Sequence, residues 1–79
     1  MAEAQSNQSM TLGEQRVRIS FNPSTNENVD KIKRMAADFI DHCESMKTSI
    51  TPSEVNRSLS IAQTEIEAAA MWAVKGATA

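Results

Sequence analysis

A lone cysteine, Cys43, closes off an intramolecular disulfide and cannot by itself build a zinc site, the cysteine usage of a reduced, intracellular chain. The opening MAEAQSNQSM has neither the basic nor the apolar region of a signal peptide, and no apolar run approaches the roughly 20 residues that span a bilayer. The expected location is therefore cytosolic, with no membrane partner. An excess of positive charge is missing as well. A formal net charge of −2 argues against broad binding to duplex nucleic acid, but a few arginines gathered at one place can still hold a small phosphate ligand. Seventy-nine residues allow one domain with a marginal core, so oligomerisation is the expected support.

Catalytic constellations are equally scarce. Asp38 and His42 stand four apart on a helical pattern, but two metal ligands without a third describe a solvated face better than a metal site. Glu65 and Glu67 are two apart and point to different sides of a helix, so they cannot form an acid–base pair within one chain. Cys43 falls on an apolar seam with Phe39 and Met46, where packing outweighs nucleophilic chemistry. No catalytic residue, metal or cofactor is assigned, and the chain is not expected to be an enzyme.

What is present is helical periodicity. Residues 1–15 are polar, without an aromatic, and read as an N-terminal arm or a short helix that orders only against a partner; residues 16–79 read as the working domain. Arg16 to Phe21 alternates polar and apolar with period two, which predicts an extended segment carrying Val17, Ile19 and Phe21 on one side. Ser24-Thr25-Asn26-Glu27 has the form of a capping box ahead of a first long helix. In that helix Val29, Ile32, Ala36, Phe39, Cys43 and Met46 step by three and four, bordered by Met35 and Ile40.

Thr51-Pro52-Ser53-Glu54 offers another capping box and predicts a second helix from Pro52. Its main stripe is Leu59, Ala62, Ile66, Ala69, Ala73 and Gly76, mostly small residues that let a neighbour approach closely. Helices of about 22 and about 24 residues, each roughly 35 Å long, joined by a short connection at 47–50, predict an antiparallel hairpin. The expected fold class is all-α: a two-helix hairpin with a short N-terminal arm or helix, assembled into a symmetric oligomer. Ile61, Ala68, Ala70, Met71, Trp72 and Val74 widen the apolar circumference of the second helix beyond one partner. Burying such side chains between protomers contributes on the order of 1.5–3 kcal/mol for each large one. Ile66, Ala69, Trp72 and Ala73 are the expected oligomer-packing residues.

The run Ile61-Ala62-Gln63-Thr64-Glu65-Ile66-Glu67-Ala68-Ala69-Ala70-Met71-Trp72-Ala73-Val74-Lys75, preceded by Arg57, resembles the second helix of the hairpin domain in phage anti-CBASS cyclic-oligonucleotide sponges. The same hairpin occurs in the larger anti-Thoeris sponges. Phe21-Asn22-Pro23-Ser24, with Asn26, Val29-Asp30 and Ile32-Lys33, resembles the segment entering the first helix in the tailed-phage branch. The resemblance covers residues 16 to 76. It implies a homohexamer in the cytoplasm of a bacterial host that holds cyclic di- and trinucleotide messengers of CBASS defence without degrading them. Dinucleotides would sit in pockets between protomers, and trinucleotides on three-fold axes.

A cyclic dinucleotide presents two phosphodiester charges and two flat bases, which ask for forked donors and planar or apolar surfaces. Arg16, Arg18, Ser20, Phe21, Asn22 and Ser24 supply that inventory in one stretch, and are the expected dinucleotide-binding residues. The plainer reading has the arginines on a solvated edge, Phe21 under the hairpin and Ser24 only capping a helix. Under the resemblance Arg57 is the expected trinucleotide-binding residue, three copies meeting on a three-fold axis; without it, pairing with Glu54 is the simpler role. Two positions depart from the family pattern. Residues 1–15 lack the aromatic that some members place there, and Thr25 stands where related sequences often have Gly.

Two readings compete with sequestration. One is a structural or regulatory helical-hairpin oligomer that binds a protein through an exposed seam. The other, a degrading phosphodiesterase, is disfavoured because the sequence offers neither a metal-ligand cluster nor a nucleophile.

Overall fold

A computed structural model describes residues 9–79; most of the stretch read as an N-terminal arm lies outside the described residues. Three helices and no strand occur among the described residues: α1 (Leu12–Val17), α2 (Glu27–Met46) and α3 (Ser53–Ala77).

The short α1 exists because both of its ends are closed. Thr11 and Glu14 form a capping box, the Thr11 hydroxyl accepting from the Glu14 amide at 3.1 Å and the Glu14 carboxylate accepting from the Thr11 amide at 3.0 Å. That backbone donor, followed by Arg34, holds the Glu14 carboxyl below its ordinary pKa. At the other end Arg18 takes a left-handed conformation at φ 55°, with its amide on the Gln15 carbonyl and that of Ile19 on the Glu14 carbonyl. The expected extended segment at 16–21 is therefore corrected to a helix end followed by a turn. Three apolar residues in alternation suit either form. Here Val17 is buried as the last residue of α1, while Ile19 packs on the core as the residue after the left-handed cap. The division drawn between residues 15 and 16 falls inside α1.

The cap of α2 is Asn26, not Ser24. Its side chain accepts from the Asn28 and Val29 amides at 2.8 and 3.2 Å, while Ser24 stays in the preceding turn beside Thr25, which has φ 51°. Asn22 closes that turn, donating to the Asn26 carbonyl at 2.7 Å and to Asp30 at 2.9 Å. The buried face of α2 is Val29, Lys33, Ala36, Ala37, Ile40 and Cys43; Phe39 and Met46, assigned to the seam from the sequence, remain exposed.

The predicted capping box at α3 does not form. Pro52 occupies the cap position with no side-chain bond, and the Thr51 hydroxyl instead accepts from the Thr48 amide at 3.1 Å within the connecting turn. The stripe on α3 is also corrected: Gln63 and Ala70 are buried, Leu59, Ala62, Ile66, Val74 and Ala77 are half-buried, and Ala69, Ala73 and Gly76 face outward. On α2 the buried Val29, Lys33, Ala36, Ile40 and Cys43 still alternate by fours and threes, so Ile40 takes the place expected for Phe39 without a change of period. On α3 the contact line runs through Ile66, Ala70, Val74 and Ala77, because a straight α-helix turns every 3.6 residues and a strict three-four alternation drifts about 20° per heptad off it.

Opposite ends of the two long helices meet, Asn26 donating to the Ala77 carbonyl at 3.2 Å and Asn56 to that of Thr48 at 3.4 Å, so the hairpin is antiparallel. The core joins all three helices through Val17, Ala36, Ala37, Ile40 and Ala70, with Ile19, Ile32 and Ile66 packed against it. Gln63 crosses the hairpin as a buried polar bridge. It donates to the Ile40 carbonyl and to Glu44, each at 3.0 Å, and accepts from Lys47 at 2.8 Å.

Candidate anion-binding site

The end of α1 and the turn after it lie across the hairpin and enclose a cavity of about 390 Å³. Arg16 and Val17 reach it from α1, Arg18 and Phe21 from the turn, Lys33 from α2, and Glu67, Ala70, Met71, Val74 and Lys75 from α3. Among the described residues four cations and one carboxylate thus border a largely apolar floor.

Each cation is held differently. Arg16 donates through Nε to Glu67 at 2.6 Å, and its Nη2 reaches the Thr64 hydroxyl at 3.5 Å. Arg18 lies over the Phe21 ring, 4.7 Å from its centroid. A left-handed residue is usually glycine because a Cβ is disfavoured there, so an arginine at Arg18 places a long cation where backbone economy alone would not. Lys33 is buried, with its ammonium bonded to the carbonyls of Arg18, at 2.9 Å, and of Phe21. Burial, and then the nearby charge of Arg18, lowers its pKa from the ordinary lysine value. Lys33 therefore pins the turn to α2. Lys75 stands 4.9 Å from the Trp72 ring centroid.

Of the six residues expected to bind a dinucleotide, the structure brings Arg16, Arg18 and Phe21 to this cavity. Phe21 is 55% exposed instead of packing under the hairpin. Ser20 lines a second hollow of about 460 Å³ with Met10, Gln15, Arg18 and Phe21, so Arg18 and Phe21 form the wall between the two. Asn22 is spent on the turn and the α2 cap, and Ser24 donates through its hydroxyl to Asn22 at 3.5 Å while its carbonyl accepts from the Thr25 hydroxyl at 2.6 Å; neither lines either hollow. Sequence reasoning missed Lys33, Lys75 and Met71 as lining residues. For Lys33 the signal was available, since it lies four residues after Val29 and three before Ala36 on the inward face of α2.

Arg57 lies near the start of α3, outside the lining of this cavity, 66% exposed in its side chain and paired with Glu54 at 3.0 Å. Ile66 packs within the hairpin, whereas Ala69, Trp72 and Ala73 lie on the outward side of α3, with Trp72 69% exposed. Among the described residues no group of three or more His, Cys, Asp or Glu side chains could hold a metal. No helix of the described residues is long and apolar enough to cross a membrane.

Fold and cavity together define a small helical hairpin with a cationic, partly apolar hollow at the junction of its helices. A family model described as Acb2/Tad1, hairpin domain, matches residues 13–78, and the chain belongs to that family, the anti-CBASS and anti-Thoeris sponges. It is a family of nucleotide-binding sponges and not of enzymes. The match begins at the glycine that seats α1 on α2 and ends one residue past α3. No curated protein and no solved structure matches the chain.

Proposed function

We propose that this protein sequesters cyclic dinucleotide second messengers of CBASS defence, capturing them intact in the cytoplasm of a bacterial host. The observation that carries the reading is the junction cavity, where Arg16, Arg18, Lys33 and Lys75 border the exposed ring of Phe21. Two phosphodiester charges suit the guanidinium and ammonium donors, and a base suits Phe21 and the apolar wall of Met71 and Val74. Lys33 and the left-handed Arg18 set these groups before a ligand arrives, which lowers the ordering cost of binding. Capture at submicromolar messenger levels requires nanomolar affinity, about −12 kcal/mol, a value served by several protomers closing on one ligand.

The outward apolar surface of α3 at Met71, Trp72 and Ala69, and that of α2 at Met35 and Phe39, supports assembly into a symmetric oligomer, with a hexamer as the family-like form. In such an assembly Arg57, near the start of α3, is the residue assigned to a cyclic trinucleotide.

Calorimetric titration of the purified oligomer with cyclic di-GMP, and separately with cyclic tri-adenylate, followed by denaturation and recovery of the ligand, tests the reading. Tight binding with fewer ligands than protomers and unchanged recovered ligand is expected. A folded oligomer that gives no heat with either ring would leave a protein-binding hairpin as the better account, and hydrolysed ligand would make the protein an enzyme.

A further inference from the structure

Among the described residues Glu67 is the one carboxylate lining the junction cavity, and a carboxylate beside bound phosphates repels them. Among the described residues its carboxylate bonds only to Arg16, through Oε1, so Oε2 keeps its acceptor capacity on a side chain that lines the cavity. Arg18, Lys33 and Lys75 are the cavity cations with no carboxylate ion pair among the described residues, and of these only Lys33 is bonded to backbone carbonyls. The hollow is thus divided, with acceptor capacity at Glu67 and unneutralised positive charge elsewhere.

An ionised carboxylate only accepts hydrogen bonds. The Watson–Crick edge of guanine sets two donors side by side, N1–H and the N2 amino group, and a carboxylate receives both at once. Adenine sets an amino donor beside the bare N1 acceptor, so the same carboxylate meets one favourable and one repulsive contact. Arg16 holds Glu67 through a 2.6 Å ion pair, and the carboxylate is half-buried, where such a mismatch is not rescued fully by water.

We propose that Glu67 is the base-specificity residue of this cavity, accepting from N1–H and N2–H of a guanine so that guanine-containing cyclic dinucleotides are preferred over cyclic di-AMP. The assignment rests on the sequestration reading and goes beyond it by naming the base. Arg16 acts on the base through Glu67 as a positioning residue.

The test compares cyclic di-GMP and cyclic di-AMP on the native oligomer and on the Glu67→Gln and Arg16→Lys variants, with helicity and oligomeric state monitored alongside. The native protein is expected to hold cyclic di-GMP roughly tenfold or more tighter than cyclic di-AMP, the size of discrimination typical of one bidentate base contact. Glutamine offers one acceptor and one donor, the complement of the adenine edge, so Glu67→Gln should lower that ratio by about tenfold or reverse it. Arg16→Lys keeps the carboxylate and should weaken both ligands while preserving the guanine preference. An equal loss of both ligands in Glu67→Gln, with the ratio unchanged, would show that Glu67 only positions Arg16 and would overturn the assignment. Tight native binding of both rings without a guanine preference overturns it and leaves sequestration standing. Absence of binding to either ring overturns both.

Discussion

Gly13 rests on the backbone of Ala37, so closely that a Cβ built on the glycine would lie 2.1 Å from the Ala37 carbonyl oxygen. The Gly13 amide also donates to Asp41 at 2.7 Å, so α1 is both packed and tethered at that point. The position of Arg16 and Arg18 follows from this contact, because both stand within five residues of it on the same short helix or its cap. Gly13→Ala must lift α1 off α2. Overpacking of this kind costs about 1–3 kcal/mol, to be read in urea unfolding, and ligand affinity should fall with it because the cavity opens. Unchanged stability in Gly13→Ala would show that α1 docks elsewhere.

Gln63 satisfies three partners on α2 and its end, Ile40, Glu44 and Lys47, from a position that is 1% exposed. Gln63→Leu fits the space but leaves the Ile40 carbonyl without that donor and removes the bridge between Glu44 and Lys47. A loss of about 1–3 kcal/mol is expected in chemical denaturation. A neutral outcome would mean that water replaces the amide.

Acid should destabilise the fold in a defined window. The Gln63 amide, and then Lys47, lowers the pKa of Glu44; the Thr11 amide, and then Arg34, lowers that of Glu14. A carboxyl whose folded pKa lies below its unfolded value stabilises the fold above the unfolded value, and that contribution disappears as pH falls through the folded one. Melting temperature should therefore hold from neutrality down to the ordinary carboxylate range and decline below it. The double variant Glu14→Gln/Glu44→Gln should show a flatter acid limb, and an identical slope in both proteins would refute the assignment of these two groups.

Trp72 makes its ring contact with Lys75 and otherwise stands on the outward side of α3, so its removal should spare the hairpin. Trp72→Ala is expected to keep native helicity by circular dichroism while shifting sedimentation toward smaller species. An oligomer of native size would place the assembly contact on another surface.

Arg57→Ala removes an exposed ion pair with Glu54, a change worth no more than about 1 kcal/mol in stability. Binding of cyclic tri-adenylate should be lost while cyclic di-GMP binding is retained, since Arg57 does not line the junction cavity. Equal loss of both ligands would sink the separation into two sites.

By itself the sequence determined the helical class and the hairpin. Apolar recurrence by threes and fours, a short connection at 47–50 and the Asn-Pro break before α2 are local facts, and the chain had to obey them. It also pointed to Arg16, Arg18 and Phe21, because cations beside an aromatic mark an anion site whether the backbone is extended or turned. Which residue caps a helix depended on competition among neighbours. Asn26 prevailed over Ser24, Thr51 bonded within its own turn, and Thr11 formed the box that the polar arm concealed.

Tertiary structure alone decided the rest. The inward face of α3 was settled by the 3.6-residue turn acting over several turns, which brought Ala70 into contact and left Ala69 and Ala73 outside, while on α2 packing buried Ile40 and left Phe39 exposed. The cavity joins residues about fifty positions apart, Arg16 with Glu67 and Phe21 with Lys75, and no local pattern records such a meeting. Lys33 shows the same division. Its place on the inward face was legible, but only the folded turn supplied the two carbonyls that make a buried ammonium tolerable there.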